Sequence, residues 1–187
     1  MEVEIVQTIL ERIDDLLARK DQVIVAIDGP CTSGKTTLAG KLAEIYDCNL
    51  FHMDDFFLRP EQRTRERFSE PGGNVDYERF WEEVLLPLKA GQAFSYRPFD
   101  CKTFTLSAPV SVTQKKLNII EGSYCNHPSF GSPYDLKIFL TITPELQRQR
   151  VLQRPEFLHQ RFFTEWIPME QTYFAHFQIQ QNCDFSI

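Results

Sequence analysis

Eight consecutive residues carry the sharpest chemical signal in the chain: Gly29-Pro30-Cys31-Thr32-Ser33-Gly34-Lys35-Thr36. They match G-x-x-x-x-G-K-[ST], a pattern that cradles phosphate. Glycines let the backbone close around an anion with its N–H groups inward, and a following helix N-terminus adds positive partial charge. Lys35 can reach the β- and γ-phosphates, and the Thr36 hydroxyl can ligate Mg²⁺. Thr37, next in the cradle, supports the helix start. By average residue usage such a match arises by chance in roughly one chain of this length in 150. The bland alternative is a glycine turn with no ligand.

Acids and cations with matching duties lie further along. In Phe51-His52-Met53-Asp54-Asp55-Phe56-Phe57, Asp54 stands at the end of a short apolar run. A carboxylate there can accept a proton from an attacking hydroxyl and align it with a γ-phosphate. The pair could instead cap a helix or hold Mg²⁺ through water. In an extended segment Asp54 and Asp55 point opposite ways, so they do not share a task. Glu121 ends the apolar run Leu117-Asn118-Ile119-Ile120 and could hold Mg²⁺ directly or through water; a strand-end acid without a ligand is the alternative. Phosphoryl transfer also needs cations over the migrating group, often brought by mobile segments. Arg154 and Arg161 are the candidates, whereas Arg148 and Arg150 read equally well as solvated helix charges. Arg59, Arg63, Arg65 and Arg67 read as a solvated loop or as contacts to a substrate or product phosphate. His52 reads as a packed or hydrogen-bonded structural residue. His127, His159 and His176 have no metal-ligand spacing. Tyr124 lines an acceptor pocket or packs in the core.

Those groups need a scaffold that gathers them. Over residues 3–17, Val3, Val6, Ile9, Leu10, Ile13, Leu16 and Leu17 follow helical spacing and predict an amphipathic helix. Val23-Ile24-Val25-Ala26-Ile27 reads as a strand buried on both faces. Lys35 to Ile45 returns to helical spacing, and residues 49–53 read as a second strand. Strand, phosphate loop, helix and strand make a βαβ unit with parallel strands. The carboxyl ends of its strands, where ligands bind in open α/β sheets, then share one edge. Residues 59–75 read as a polar loop, 77–89 as a helix, 94–114 as an acceptor-side hairpin excursion and 155–164 as a lid loop. A helix follows to about residue 180, with Pro168 starting or kinking it. Runs at 117–120, 136–142 and 184–187 supply further strands. Thr143-Pro144-Glu145 reads as the capped start of a helix. The expected architecture is α/β: a three-layer sandwich of the P-loop type, with a mostly parallel sheet and helices on both faces, in one domain over 1–187.

Composition agrees with a globular enzyme. Of 187 residues, 42% are hydrophobic and 25% charged, and 20 basic against 26 acidic side chains give a net charge of −6. That balance argues against a general nucleic-acid or membrane-surface binder. Five cysteines are scattered without C-x-x-C spacing, so they read as reduced thiols in a cytoplasmic protein. No signal peptide or membrane-length apolar run is expected. A small-molecule substrate is expected, with a homo-oligomer left open.

The cradle alone says phosphate and not reaction. No N-K-x-D guanine motif is found, and motor or pump ATPases are generally larger. The cradle, Asp54-Asp55-Phe56-Phe57, Asn74-Val75-Asp76, Glu121-Gly122 and an arginine-bearing lid, in this order, resemble the uridine kinase-like branch of P-loop kinases, which also holds pantothenate kinase and phosphoribulokinase relatives. The resemblance implies ATP and Mg²⁺, with Asp54 as base in the place of the family's D-x-F-Y aspartate. It implies that Asp76 contacts ribose hydroxyls and that Pro98-Phe99-Asp100 takes the place of the base-lining Y-D-F. Phe57 and Phe99 stand where that family has Tyr, removing two hydroxyls from the acceptor pocket. The activity so implied is transfer of the γ-phosphoryl to a hydroxyl, most readily the 5′-hydroxyl of a uridine- or cytidine-type nucleoside. The alternatives are another alcohol (pantothenate-like or a sugar) and a nucleotide-binding regulatory protein with no acceptor.

Overall fold

The computed structural model describes residues 2–187; Met1 lies outside the described residues. Helix α1 (Glu2–Arg19) leads into β1 (Val23–Asp28), the cradle, α2 (Lys35–Ile45) and β2 (Cys48–His52). Next come α3 (Arg65–Ser69) and α4 (residues 77–89). A two-tier excursion pairs β3 (Phe94–Tyr96) with β6 (Val110–Val112), and β4 (Phe99–Asp100) with β5 (Thr105–Leu106), all antiparallel. Strands β7 (Leu117–Glu121) and β8 (Leu136–Phe139) follow, then α5 (Pro144–Leu152), α6 (residues 156–176) and β9 (Phe185–Ser186).

The central sheet runs β2-β7-β1-β8-β9, every pair parallel. Strand β1 is buried along its whole length because a strand pairs with it on each side and a layer covers each face. Val23, Val25 and Ile27 face one layer, where Ile9, Ile13 and Leu16 of α1 and Leu38 and Leu42 of α2 close over them. Ile24 and Ala26 face the other, a largely aromatic layer built from Phe51, Phe56, Phe80, Tyr96, Phe130, Phe139 and Tyr173. The high phenylalanine content is thus partly core: Phe56 meets Phe80 edge-on at 4.9 Å and Tyr96 stacked at 5.5 Å. The expected α/β three-layer class is what the chain adopts.

Three local expectations are corrected. Residues 156–164 are helical, because Phe162 and Trp166, four residues apart, pack ring to ring at 4.6 Å and favour a continuous α6. The segment 59–75 is not all loop: the Thr64 hydroxyl accepts the Arg67 N–H at 3.1 Å and caps α3. Asp54 lies in a 3₁₀ turn, Met53–Phe56, just past the end of β2. Both long helical runs also contain a widened turn. Leu86 N bonds Trp81 O and Ile167 N bonds Phe162 O, each one residue before a proline (Pro87, Pro168) that has no N–H to continue the regular ladder. Among the described residues no helix is long and apolar enough to cross a membrane.

Candidate active site

The cradle turns directly off the carboxyl end of β1. Gly29 has φ +140°, and a Cβ there would sit 2.3 Å from Leu140 O, so no other residue fits. Gly34 holds φ +108° at the N-cap of α2 and turns the chain into the helix. Thr32 adopts φ +62°, a costly conformation for a β-branched residue and the kind of strain that collects at ligand sites. The Thr32 and Ser33 hydroxyls are buried without a hydrogen-bond partner. Buried polar atoms are normally satisfied, so two orphans on one anion loop fit the oxygens of a phosphate. Lys35 is buried, its Nζ donating to Gly29 O and Pro30 O at 2.8 Å each. Thr37 lies exposed in the first turn of α2.

Three side chains brace this loop, and sequence reasoning raises only Arg150 among them. Gln147 Nε2 donates to Cys31 O at 3.2 Å, and Arg150 donates to Thr32 O at 2.7 Å, both from α5. Glu170 of α6 accepts the Cys31 N–H at 2.9 Å and the Ser123 hydroxyl at 2.7 Å. Burial, then the Glu170 charge, pushes the Cys31 thiol up to about 12, so it stays protonated and is no nucleophile.

The acids converge as parallel topology requires. His52 and Glu121 are register partners at the ends of β2 and β7, and Glu121 pairs with Ile27 of β1 on its other side. Glu121 Oε1 accepts from the Thr36 hydroxyl at 3.1 Å and lies 2.6 Å from His52 Nδ1. The Glu121 hydrogen bond raises the His52 pKa above its ordinary value. His52 thus belongs to the site rather than to packing alone. The Asp54 carboxyl is open to the cleft yet crowded by its walls. That crowding, then the Glu121 charge, raises its pKa above the ordinary carboxylate range, with Lys35 and His52 opposing. Asp55 is likewise raised, by burial first, and accepts a bond from the Tyr96 hydroxyl at 3.3 Å. Because both acids sit on a 3₁₀ turn, strand alternation does not separate them, and both feel the charges of Glu121 and His52.

The acceptor-side residues are placed differently from one another. Asp76 is buried and caps α4, accepting the Arg79 N–H at 3.2 Å with the Arg59 and Arg79 guanidinium groups each 3.4 Å away. Phe57 is half-buried and bridges to Val75. Phe99 is buried, its ring met by Phe104 edge-on at 6.2 Å and by the Arg63 guanidinium at 5.8 Å. Tyr124 is buried at 3% exposure, packed on Tyr173 with ring centroids 4.8 Å apart. Of the lid candidates, Arg161 pairs with Glu165 at 3.3 Å and lies over Trp166, and its charge reaches the Cys101 thiol on the hairpin, as does that of Asp54. Arg154 is exposed at the end of α5, and among the described residues its side chain touches none of the other site groups.

No group of three or more His, Cys, Asp and Glu among the described residues forms a ready-made metal cage. That suits Mg²⁺, which keeps several waters and is held by one or two protein oxygens together with substrate phosphates. Thr36 and Glu121 supply such oxygens side by side.

No protein-family model matches the chain, and a search of curated proteins finds no significant match. Solved structures do match along nearly its whole length. One, provisionally described as a uridine kinase from Bacillus stearothermophilus, superposes with TM-score 0.70 at 21% identity, covering 96% of this chain and 99% of that one. Another, provisionally described as a fructose transport system kinase from a Silicibacter species, gives TM-score 0.75 at 22% identity, covering 98% and 97%. With the cradle at the carboxyl end of β1 and a 2-7-1-8-9 parallel sheet, the chain shares the α/β fold of these two structures.

Proposed function

We propose that the protein is an ATP-dependent small-molecule kinase that transfers the γ-phosphoryl group to an alcohol. The observation that carries this reading is the convergence of Lys35, Thr36, Glu121, His52 and Asp54 at one end of the parallel sheet, beside a strained loop with two unpartnered hydroxyls. A nucleotide-binding regulator needs the loop but has no use for an open carboxylate beside it.

The cradle N–H groups, Lys35 and the Thr32 and Ser33 hydroxyls bind the phosphates. Thr36 and Glu121 would hold the metal, with His52 fixing the Glu121 carboxylate through its ring nitrogen. Bound Mg²⁺ would neutralise charge developing on the β- and γ-oxygens. Asp54 accepts the hydroxyl proton as the acceptor oxygen bonds to the γ-phosphorus. The bond from that phosphorus to the bridging oxygen breaks, and its electron pair leaves on ADP. The raised pKa of Asp54 makes it a stronger base than an ordinary carboxylate. Arg161 is the better-supported lid cation.

The acceptor class is the alcohol itself. A nucleoside is the acceptor the sequence resemblance implies, but Asp76 is already engaged by Arg59 and Arg79 and Tyr124 is buried. Incubation with Mg·ATP and a panel of nucleosides, pantothenate and sugars tests the reading, with a mass gain of one phosphoryl group as readout. ATP binding without product from any member would favour the regulator.

Glu121→Gln keeps the shape and removes the charge that faces Thr36. It is expected to raise the Mg²⁺ concentration for half-maximal activity about 10–100-fold. An unchanged Mg²⁺ titration would remove Glu121 from the metal site.

A further inference from the structure

Around the acceptor side, three arginines are paired with acids. Arg59 lies 3.4 Å from both Glu61 and Asp76, Arg67 is 2.6 Å from Glu78, and Arg79 is 3.3 Å from Glu83. Arg63 differs. It is half-buried, and its Nε donates to Leu58 O at 2.9 Å, a carbonyl four residues beyond Asp54. Its guanidinium lies 5.8 Å from the Phe99 ring and 4.9 Å from the Phe104 ring. Among the described residues no carboxylate pairs with it. A guanidinium drawn out of water without an acid is costly, and the fork left free by its Nε bond matches carboxylate and phosphate geometry. The flanking rings hold it by cation–π attraction and limit its motion.

The position is next to the chemistry. Strand β4, which carries Phe99, packs on the turn that carries Asp54. At the hairpin tip, the charges of Arg63, Asp54 and Arg161 all act on the Cys101 thiol.

We propose that the phosphoryl acceptor is an anionic alcohol, whose carboxylate or phosphate docks on the Arg63 guanidinium while its hydroxyl faces Asp54. This rests on the kinase reading and names the substrate class of the same site. The anionic group stays intact and only orients the acceptor; the bonds made and broken are those written above. A neutral base has less to bind here, since Phe57 and Phe99 offer no hydroxyl.

The test uses the full chain with Mg·ATP and matched pairs: glycerate against glycerol, pantothenate against pantothenol, a hexose phosphate against the free hexose, with uridine as the nucleoside. Product is read by mass. The charged member of at least one pair is expected to show kcat/KM about tenfold or more above its neutral twin, and the responding pair tells carboxylate from phosphate. Arg63→Met is expected to raise KM for that member about 10–100-fold with a smaller change in kcat, and Arg63→Lys to recover part of the loss. Thermal melting of both variants separates this from misfolding. Preference for uridine or the neutral twins, or an unchanged KM in a folded Arg63→Met, overturns the anionic acceptor and leaves the kinase reading standing. No product from any member overturns both.

Discussion

Asp54→Asn is expected to lower kcat by about 10²–10⁴-fold, the range for losing a positioned general base, while ATP affinity stays within a few-fold of wild type. The amide keeps the shape of the side chain but cannot take the acceptor's proton. The nucleotide contacts, meanwhile, come from the cradle and from Lys35, Thr36 and Glu121, none of which hydrogen-bonds Asp54. Two side effects sharpen the test. Asp54 sits among Glu121 and Asp55, whose charges raise its pKa, so removing its charge relieves repulsion and the variant should melt no lower than wild type. The raised pKa also puts the acidic limb of the wild-type kcat/KM profile above the ordinary carboxylate value. A folded Asp54→Asn enzyme that keeps near-wild-type turnover would leave the protein without a base in this cleft.

Much of this site is legible in the chain because its signals are local. The cradle is eight adjacent residues, and β1 announces itself by an unbroken β-branched run. Asp54 and Glu121 are 67 positions apart, yet each ends an apolar run, and parallel topology delivers such ends to one edge. What stayed hidden depends on register and on helix rotation. His52 meets Glu121 only because β2 and β7 start in step, Cys48 against Leu117. Glu170 reaches Cys31 across 139 residues, and Gln147 and Arg150 reach the loop because one face of α5 turns toward it. Composition misled at the lid: the polar flanks of 155–164 look loop-like, while the packing of Phe162 on Trp166 and of Arg148 over Phe163 holds a helix. For Tyr124 the sequence leaves core packing open, and position in a motif does not specify what else competes for the Asp76 and Tyr124 side chains. Here two arginines and the aromatic layer do.

Asp28, which no motif singled out, should dominate the pH dependence of stability. It is fully buried at the last position of β1. One carboxyl oxygen accepts the Gly29 N–H at 2.7 Å and the Tyr124 N–H at 3.2 Å; the other accepts the Asn126 N–H at 3.0 Å and the Tyr173 hydroxyl at 2.9 Å. It therefore ties the cradle's first residue, the segment after β7 and the helix carrying the lid into one joint. Burial outweighs these bonds and the Lys35 charge, raising its pKa from 3.8 to about 6. A raised folded-state pKa means a contribution fully present below about pH 4 and lost as pH rises through about 6. The loss amounts to about 3 kcal/mol, a sizeable part of a typical domain's stability. Denaturant unfolding across pH 5–8 should thus show wild type losing stability with rising pH, and Asp28→Asn losing less over the same range. Glu170, Asp54 and Asp55 are raised too and slope the same way in both proteins, so the difference between the two curves isolates Asp28. Asp28→Ala strands all four donors, and its deficit against wild type should be largest at the acid end and shrink toward pH 8. Parallel curves for wild type and Asp28→Asn would assign the titration to the other acids and leave Asp28 ionised at the joint.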